Sequence, residues 1–388
     1  MDKNLNFLAK TFYGFEPLLA KELLHLGARD IKEGNRLVRF KGDLGFLYKA
    51  NLALRTALKI LMPIHQFAAG NDEMFYQALY RYPWEDYMNE NQTFSIDSVV
   101  IGDRFTHSLY VSQKAKDAIV DRFRRLKGTR PSVDTNRPDL RIHIHIQESQ
   151  VSISLDSSGE SLHKRGYRLA TNIAPINEVL AAGMILHSGW DTTTDFIDPM
   201  CGSGTILIEA AMMAANIPVN INREEFAFER WSNWDADLFE TIRSSLLNKV
   251  ISPTVQITGS DKAPSAVRKA QENIAEANLE EFITVSRANF FFTEKQSEGP
   301  LHLVTNPPYG ERLEGDIKEM YEKIGDTFKN KYPDTQAWMI TGNLEAMKSI
   351  GLRPSRKIKL FNGKLESRLL HFPIYAGTKK LHKINKDS

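Results

Sequence analysis

Strands and helices alternate after about residue 170, and this alternation constrains the fold more than any other feature of the sequence. Strands are predicted for five short apolar stretches, "TDFIDPM", "VQITGSD", "ITVSRAN", "LHLVTNPP" and "QAWMIT", with helical runs such as 204–215 and 264–278 between them. This order predicts a parallel, doubly wound sheet covered by helices, an α/β fold of the Rossmann-like type. A hairpin is predicted for "KIKLFNGKLESRLLHFPI", turning at Asn362 and Gly363 and adding a terminal antiparallel strand.

Two smaller segments precede this sheet. Residues 1–65 alternate strand and helix in an order that predicts a ferredoxin-like domain. Residues 66–165 contain the alternating strands "TFSIDSVV", "RIHIHI" and "VSISLD" around a long helix at "SLYVSQKAKDAIVDRFRRLKG". The predicted domain boundaries are therefore 1–65, 66–165 and 166–388.

The strand "RIHIHI" places His143 and His145 on one face and three isoleucines on the other. A metal site needs further ligands, and no third one is visible nearby. An exposed strand face is favoured over a metal pair, and no metal is predicted.

The composition is typical of a soluble globular protein. Of 388 residues, 42% are hydrophobic and 25% charged, which suits two or three domains with a sizeable core. No apolar stretch approaches the roughly 18 to 20 residues of a membrane span, and the first residues lack a signal-peptide core, so we expect a cytoplasmic protein. The single cysteine, Cys201, excludes an internal disulfide and a cysteine-cluster metal site.

The net charge of +2 conceals an asymmetry between the two parts of the chain. Residues 1–170 carry 25 Lys and Arg against 20 Asp and Glu, whereas the remainder carries 25 against 28. An excess this small is by itself more typical of a solvated surface than of a nucleic-acid site.

Three strand ends carry groups suited to a nucleotide-like ligand. The turn "DPMCGSGT" follows the first strand of the sheet, and Gly202 and Gly204 let its backbone pass close to a ligand, although a tight packing turn would look the same. No GxxxxGK[ST] or GxGxxG loop is present, since position 207 is leucine. Asp261 ends the second strand, where a carboxylate can accept from ribose hydroxyls or cap the next helix. Asn289 ends the third strand, facing the expected adenine edge.

The fourth strand runs into a stiff loop formed by Asn306, Pro307, Pro308 and Tyr309. The prolines end the hydrogen-bonded ladder and hold the loop extended, so that the asparagine and tyrosine project from the carboxyl end of a buried strand. Parallel sheets keep their sites at this end, although a proline-stiffened surface turn is the structural alternative.

These motifs resemble those of class I S-adenosylmethionine-dependent amino-methyltransferases, in which "NPPY" is typical of enzymes that methylate an exocyclic base nitrogen. More closely, "RPDLRIHIHI", "HKRGYR", "NEVLAAGMI", "FAFERW" and "TNPPYGERL" are similar to the THUMP-domain RNA methyltransferases, particularly the guanine-N2 half of the bacterial 23S rRNA enzyme RlmL and its single-domain relatives. The similarity covers nearly the whole chain. It implies a THUMP domain at 66–165, S-adenosylmethionine as cofactor, and 23S rRNA or a large-subunit assembly particle as partner.

The resemblance also implies roles for individual residues. The cofactor is expected at Asp198, Cys201, Gly202, Ser203, Gly204, Thr205, Asp261 and Asn289, and the base at Asn306, Pro307, Pro308 and Tyr309. Asn289 stands where the family usually has aspartate, so we expect weakened or retuned cofactor affinity instead of its loss. The carbonyls of Asn306 and Pro307 would accept the two hydrogens of a base amine and turn its lone pair toward the methyl group, while Tyr309 would stack on an extruded base.

RNA contact is expected mainly in the amino-terminal part, where a basic run lies near a helix end. The predicted RNA-binding residues are Arg122, Arg124, Arg125, Lys127, Arg130, Arg137, Arg141, Lys164 and Arg165. A basic run of this kind is usually solvated surface, and the resemblance is what favours binding. Trp231 and Trp234, in an aromatic-rich insertion, are assigned either to the target base or to core packing.

The predicted activity is transfer of a methyl group to the N2 of a guanine in 23S rRNA. Adenine-N6 or a tRNA guanine remains open, because the same loop serves either amine. A non-catalytic RNA-binding assembly factor is the alternative from another class, and the intact glycine loop and Asn306 argue against it.

Overall fold

The computed structural model describes residues 4–169, 175–308 and 317–376, whose strands form two sheets. The first sheet has the strand order β2-β3-β1-β4-β8-β7-β5-β6. Its strands are β1 (Leu5–Lys10), β2 (Arg29–Gly34), β3 (Leu37–Gly42), β4 (Lys59–Ala68), β5 (Thr93–Ile101), β6 (Ser132–Val133), β7 (Leu140–Gln147) and β8 (Gln150–Asp156). The helices of this half are α1 (Glu16–Leu26), α2 (Leu44–Ala53), α3 (Asp72–Arg81) and α4 (Ser108–Lys127).

Alternation along these strands sends one set of side chains into a single core. Phe7 of β1, Val38 of β3, Ile144 of β7 and Ile153 of β8 are buried in one hydrophobic cluster. Buried residues of all four helices α1 to α4 join the same cluster. The helices therefore cover one face of the eight-stranded sheet, and the alternate residues of the strands form its other face.

The second sheet has the strand order β11-β10-β9-β12-β13-β15-β14. Its strands are β9 (Asp195–Asp198), β10 (Ile257–Asp261), β11 (Ile283–Arg287), β12 (Leu301–Thr305), β13 (Thr335–Thr341), β14 (Arg356–Asn362) and β15 (Leu365–Ile374). The helices are α5 (Glu178–Ser188), α6 (Thr205–Ala214), α7 (Ala236–Leu247), α8 (Pro264–Glu276) and α9 (Ile317–Lys331). Strands β9 to β13 pair in parallel, and β15 runs antiparallel to β13, which confirms the predicted Rossmann-like sheet with its terminal antiparallel strand.

This second sheet is buried on both faces. Val304 and Trp338 belong to one hydrophobic cluster, whereas their strand neighbours Leu303 and Ala337 belong to another. Successive residues of a strand point to opposite faces, so each face has a core of its own. All side chains of the central strand β12 are buried, whereas the edge strands β11 and β14 expose mid-strand residues such as Thr284 and Lys359.

The structure differs from the sequence predictions at several local points. Strand β2 and helix α3 were not predicted, because β2 is a charged edge strand and α3 is short, with only Phe75 and Leu79 buried. The closing hairpin pairs Asn362 with Leu365, so its loop is Gly363 and Lys364 instead of the predicted Asn362 and Gly363. Gly363 adopts a positive φ of 63°, which a residue with a Cβ rarely takes.

The expectation of an exposed face at His143 is wrong. His143 is only 4% exposed, because its ring lies between the ammonium of Lys10, 2.7 Å from Nε2, and the carboxylate of Asp97 at Nδ1. Among the residues that the structure describes, no three His, Cys, Asp or Glu side chains lie close enough to hold a metal ion. The described helices include none that is long and apolar enough to cross a membrane.

The two halves are joined by a buried polar cluster and by one inserted aromatic ring. Arg165 donates to Glu209 of α6 at 3.2 Å and to the carbonyl of Arg55 at 2.6 Å. Arg55 in turn donates to the carbonyl of Met212, at the end of α6, at 3.0 Å. Phe15, which precedes α1, is buried in the core of the second half. It packs on α5 at Gly183, where a Cβ would lie 2.1 Å from the phenylalanine ring.

Candidate active site

Five parallel strands of the second sheet end at one edge, around a cleft of about 1210 Å³. The strand order places β9 at the centre, with β10 on one side and β12 on the other. The chain reverses its winding direction at this point, and a doubly wound sheet opens a crevice there. The cleft is lined by residues at or just after the ends of all five strands, including Asp198, Asp261, Asn289, Asn306 and Asn343.

The glycine turn after β9 forms one wall of the cleft. Gly202 has a φ of 55°, and its amide donates to the Asp261 carboxylate at 3.1 Å. Cys201 and Ser203 line the cleft beside it, and both are buried. Burial raises the pKa of the Cys201 thiol, so this cysteine is a packing residue at the wall and not an ionised nucleophile.

Gly204 and Thr205 have structural roles in the same turn. Gly204, with a φ of 83°, is not among the residues that line the cleft; a Cβ there would lie 3.2 Å from the Cβ of Ala270 on α8. The glycine is required by its backbone conformation and by packing against α8, and its contact with the cofactor stays a prediction. Thr205 lines the cleft, and its hydroxyl accepts from Arg168 at 3.0 Å.

Asp198 lies at the base of the cleft and is 1% exposed. Its carboxylate accepts from the Thr305 hydroxyl at 2.7 Å and from the Met200 amide at 3.2 Å, which ties β9 to β12. Burial raises the pKa of Asp198 to about 7, and those two hydrogen bonds only partly oppose the rise. A cationic group bound in the cleft would favour the ionised form of this carboxyl.

Asp261 and Asn289 face the cleft from neighbouring strands. Asp261 also accepts from the amide of Ala263 at 2.9 Å, so both of its oxygens are oriented by backbone donors. Asn289 is half-buried, and its side-chain oxygen accepts from the amide of Phe291 at 3.2 Å. A carbonyl oxygen has a second lone pair, and the amide nitrogen of Asn289 is a donor that aspartate would lack.

The loop after β12 brings an amide oxygen to the opposite wall. The Oδ1 atom of Asn306 is buried and has no hydrogen-bond partner among the described residues, although the side chain lines the cleft. Pro307 is buried and Pro308 exposed, and both line the cleft. Tyr309 lies outside the described residues. Native proteins rarely leave a buried acceptor unpaired, and such an atom commonly marks a place where a ligand donates.

The cleft also contains residues that the sequence analysis missed. Among them are the loop after β13 at Gly342, Asn343, Leu344 and Glu345, and the hairpin tip at Asn362 and Leu365. The first group follows the carboxyl end of a parallel strand, as the predicted site residues do. The sequence "ITGN" could therefore have predicted it. The hairpin tip has no such signal, because β15 runs antiparallel and only its folding onto β13 brings the tip to the cleft.

Most of the predicted RNA-binding residues are already paired on the surface of the first half. Arg122 contacts Glu85, Arg124 contacts Asp121 at 3.1 Å, and Arg137 contacts Glu225 at 2.8 Å. The remaining pairings are Lys164 with Glu160, Arg125 with the Tyr80 hydroxyl, and Arg141 with the carbonyl of Asn136. Lys127 and Arg130 are exposed. The positive potential around the basic run is therefore smaller than its number of Lys and Arg residues indicates.

The prediction that Arg165 contacts RNA is wrong. Its side chain is 0% exposed and lies between the two halves, with Glu209, the carbonyl of Arg55 and the carbonyl of Leu162 as partners. Trp231 and Trp234 also have a packing role. Trp231 is 6% exposed, and Trp234 packs 5.1 Å from Tyr48 of α2, so the aromatic insertion docks the second half onto the first.

Together, the strand order, the glycine turn and the acidic strand ends define a Rossmann-like class I methyltransferase. Three families match successive parts of the chain: an RlmL ferredoxin-like domain at 6–61, a THUMP domain at 69–156, and an RMKL-like methyltransferase domain at 165–371. The last match covers more than half of the chain. The chain belongs to the RMKL-like methyltransferase family.

Individual relatives agree with this assignment. The ribosomal RNA large subunit methyltransferase K/L of Cellvibrio japonicus is 39% identical over 93% of this chain and 50% of its own length. The chain thus spans about half the length of the curated relatives it matches. The crystal structure of SMU.472 complexed with SAH aligns with a TM-score of 0.87 and 31% identity, covering 97% of this chain and 100% of that one. A predicted N6-adenine-specific DNA methylase from Listeria monocytogenes aligns with a TM-score of 0.86 and 29% identity, covering 97% of each chain.

Proposed function

We propose that this chain transfers a methyl group from S-adenosylmethionine to the exocyclic N2 of a guanine in 23S rRNA. The observation that carries the proposal is the unpaired, buried Oδ1 of Asn306, which shares a cleft with Asp198 and Asp261. The names of the relatives, which refer to large-subunit ribosomal RNA, support the substrate class. An rRNA substrate would also place the reaction in the cytoplasm.

The residues of the cleft fit the proposed cofactor. Asp261 would accept from the ribose hydroxyls, since its oxygens are already held in place by the amides of Gly202 and Ala263. Asp198 would face the cationic methionine part, and Asn289 the adenine. SMU.472, solved with SAH, has the same overall fold. When bound, S-adenosylmethionine supplies an electrophilic methyl group on a sulfonium.

The catalytic contribution of the chain would be orientation. Asn306 Oδ1 and the backbone carbonyl of Pro307 would accept the two hydrogens of the base amine. These bonds would direct the amine lone pair out of the ring plane, toward the methyl donor. Pro307 and Pro308 keep the loop extended, so the geometry is set before the base arrives. Tyr309 would contribute a stacking face for the extruded base.

RNA would be positioned by the amino-terminal half, through exposed cations at the end of α4 such as Lys127, together with arginines that exchange their present partners for phosphates. The domain division at residues 65 and 165 is part of this proposal, with the first two domains binding and the third catalysing. The shared sheet of the first two domains supports their acting as one binding unit.

A second candidate reaction is methylation of adenine N6. It is favoured by the alignment with the Listeria protein, which is described as a predicted N6-adenine-specific DNA methylase, and by the suitability of the Asn306 loop for either amine. A tRNA guanine is the other alternative substrate. Neither relative in the large-subunit methyltransferase group supports these alternatives by name.

The test is methyl transfer from labelled S-adenosylmethionine to total RNA and to ribosomal particles from cells lacking this protein, with the product nucleoside identified by mass spectrometry. N2-methylguanine in large-subunit rRNA is expected. N6-methyladenine or a tRNA product would keep the chemistry and replace the substrate. No transfer together with no cofactor binding by calorimetry would favour a non-catalytic assembly factor.

A further inference from the structure

The second face of the eight-stranded sheet contains a cavity of about 540 Å³ that is separate from the cleft. Its lining comes from the alternate residues of the central strands, opposite the helices: Asn6, Leu8 and Lys10 of β1, Leu37, Arg39 and Lys41 of β3, and His143 and His145 of β7. None of these residues was predicted to bind RNA. The cavity is thus a different surface from the basic run on α4, which contributes no residue to its lining.

The rim of this cavity is cationic. Lys10, Lys32, Arg39 and Lys41 line it, against one carboxylate, Asp30. Asp30 is already paired with Lys41 at 2.6 Å. Lys32 and Arg39 are exposed and form no ion pair with any described residue. Unpaired cations on a concave surface concentrate a positive potential that favours an anionic ligand.

Lys10 has an unusual partner. Its ammonium donates to Nε2 of His143 at 2.7 Å, and His143 therefore donates from Nδ1 to Asp97. Among the described residues Lys10 forms no ion pair of its own, although the carboxylates of Asp97 and Asp156 lie near enough to favour its charged form. Burial lowers the pKa of Lys10, because desolvation penalises its charged form. An anion in the cavity would replace the missing solvation.

Part of the cavity lining is apolar. Leu8, Leu37, Leu61 and Pro63, called here the apolar floor, line the cavity together with polar residues such as Ser152. The ring of His65 lines one side and is stacked on Tyr82 at 4.6 Å, which holds its orientation. An apolar floor beside a fixed ring suits the flat face of a base, and the surrounding cations suit its phosphates.

From these contacts we propose that the cavity on the second face of the eight-stranded sheet binds a single-stranded segment of the RNA substrate, with phosphates on Lys10, Lys32 and Arg39 and a base on the apolar floor. The inference rests on the proposed RNA methyltransferase function and adds a binding site to it. Neighbouring residues connect the cavity to the cleft. Only two residues separate Lys10 from Tyr13, whose ring packs 5.9 Å from Phe361, and the neighbouring Asn362 lines the cleft.

The first test measures RNA affinity by fluorescence anisotropy, with a labelled single-stranded RNA of about 15 nucleotides. The variant is Lys32→Glu with Arg39→Glu, both exposed side chains outside the core. The matched control is Lys249→Glu with Lys329→Glu, which makes the same charge change at exposed positions of the methyltransferase half. We expect the sheet variant to weaken binding at least about tenfold and to reduce the slope of log K against log salt by about 1.4, and the control to change affinity less than about twofold.

Equal affinity of the sheet variant and the wild type, with methyl transfer to RNA intact, would overturn this inference and leave the proposed function standing. A wild type that binds the cofactor and takes no RNA would instead overturn the proposed function, and the inference with it. Complete displacement of the RNA by inorganic phosphate at equal phosphate concentration would identify a free-anion site and overturn the RNA assignment.

A second test needs no variant. RNA containing 4-thiouridine is irradiated with the wild-type protein, and the crosslinked peptides are identified by mass spectrometry. Crosslinks in peptides of β1, β3, β4 or β7 are expected, with His65 beside the apolar floor as the foremost candidate. Crosslinks confined to α4 or to the methyltransferase half would contradict the site.

Discussion

The two sheets of this molecule expose their functional groups in different ways, because they are covered differently. The eight-stranded sheet has one hydrophobic cluster on one face, so the other face is free to present polar side chains over a broad surface. The seven-stranded sheet has a cluster on each face, so its polar groups gather at the strand ends. A broad face suits an extended polymer, and a ring of strand ends suits a small cofactor and one base.

The largest expected effect comes from breaking the joint between the two sheets. Arg165→Ala would leave Glu209 buried without its partner, and Glu209 Oε2 already has no hydrogen-bond partner among the described residues. We expect a loss of about 3–5 kcal/mol in the free energy of unfolding, measured in urea. The double variant Arg165→Met with Glu209→Leu removes both charges and should recover most of that loss. A single variant as stable as the wild type would show that the joint is not a stabilising contact.

Next in size is the strand-end acceptor of the seven-stranded sheet. Asn306→Ala should reduce single-turnover methyl transfer by about a hundredfold to a thousandfold, the range seen when one preorganised polar group is removed from an active site. Cofactor affinity, measured by calorimetry, should stay nearly unchanged. Asn343→Ala is the matched control, because this asparagine lines the same cleft but already accepts from the Ala346 amide at 2.9 Å. Equal product yields for Asn306→Ala and the wild type would remove Asn306 from the mechanism.

A smaller effect is expected at the second strand end. Asp261→Ala removes the acceptor proposed for the ribose and also releases the amides of Gly202 and Ala263. We expect cofactor affinity to fall by about tenfold to a hundredfold, with RNA affinity unaffected, since charge-assisted hydrogen bonds contribute roughly 1.5–3 kcal/mol. Calorimetry and anisotropy on the same preparation measure the two affinities. A parallel loss of both would mean that the two sheets do not act separately.

The smallest effect concerns Asp198 and its pH dependence. The pKa of this buried carboxyl is raised to about 7, so the stability it contributes is present at acidic pH and is lost as pH rises through about 7. Asp198→Asn mimics the neutral form and keeps an acceptor for Thr305. Without cofactor, we expect the variant to be more stable than the wild type at pH 8 and to differ little at pH 4. A difference that does not vary with pH would contradict the raised pKa.

Much of the seven-stranded sheet and its site was predictable because the signals are local. A short apolar run followed by a glycine turn, an acidic residue or Asn-Pro-Pro marks where a strand ends, and parallel strands end at one edge. The strand ends at Asp198, Asp261, Asn289 and Asn306 therefore meet in the cleft as expected. Their roles with cofactor and base stay predictions.

The sequence by itself determined most of the order of strands and helices and the polar residues at the strand ends, because each depends on neighbours in the chain. Only the tertiary structure decided which charges are available to a ligand. Arg165 contacts Glu209, 44 residues away, and His143 contacts Lys10, 133 residues away. The burial of these two side chains therefore cannot be predicted from neighbouring residues in the sequence. Whether a charged side chain faces solvent depends on what distant segment packs against it. For the same reason no binding signal in the sequence indicated Lys32 and Arg39, which are exposed and form no ion pair with any described residue.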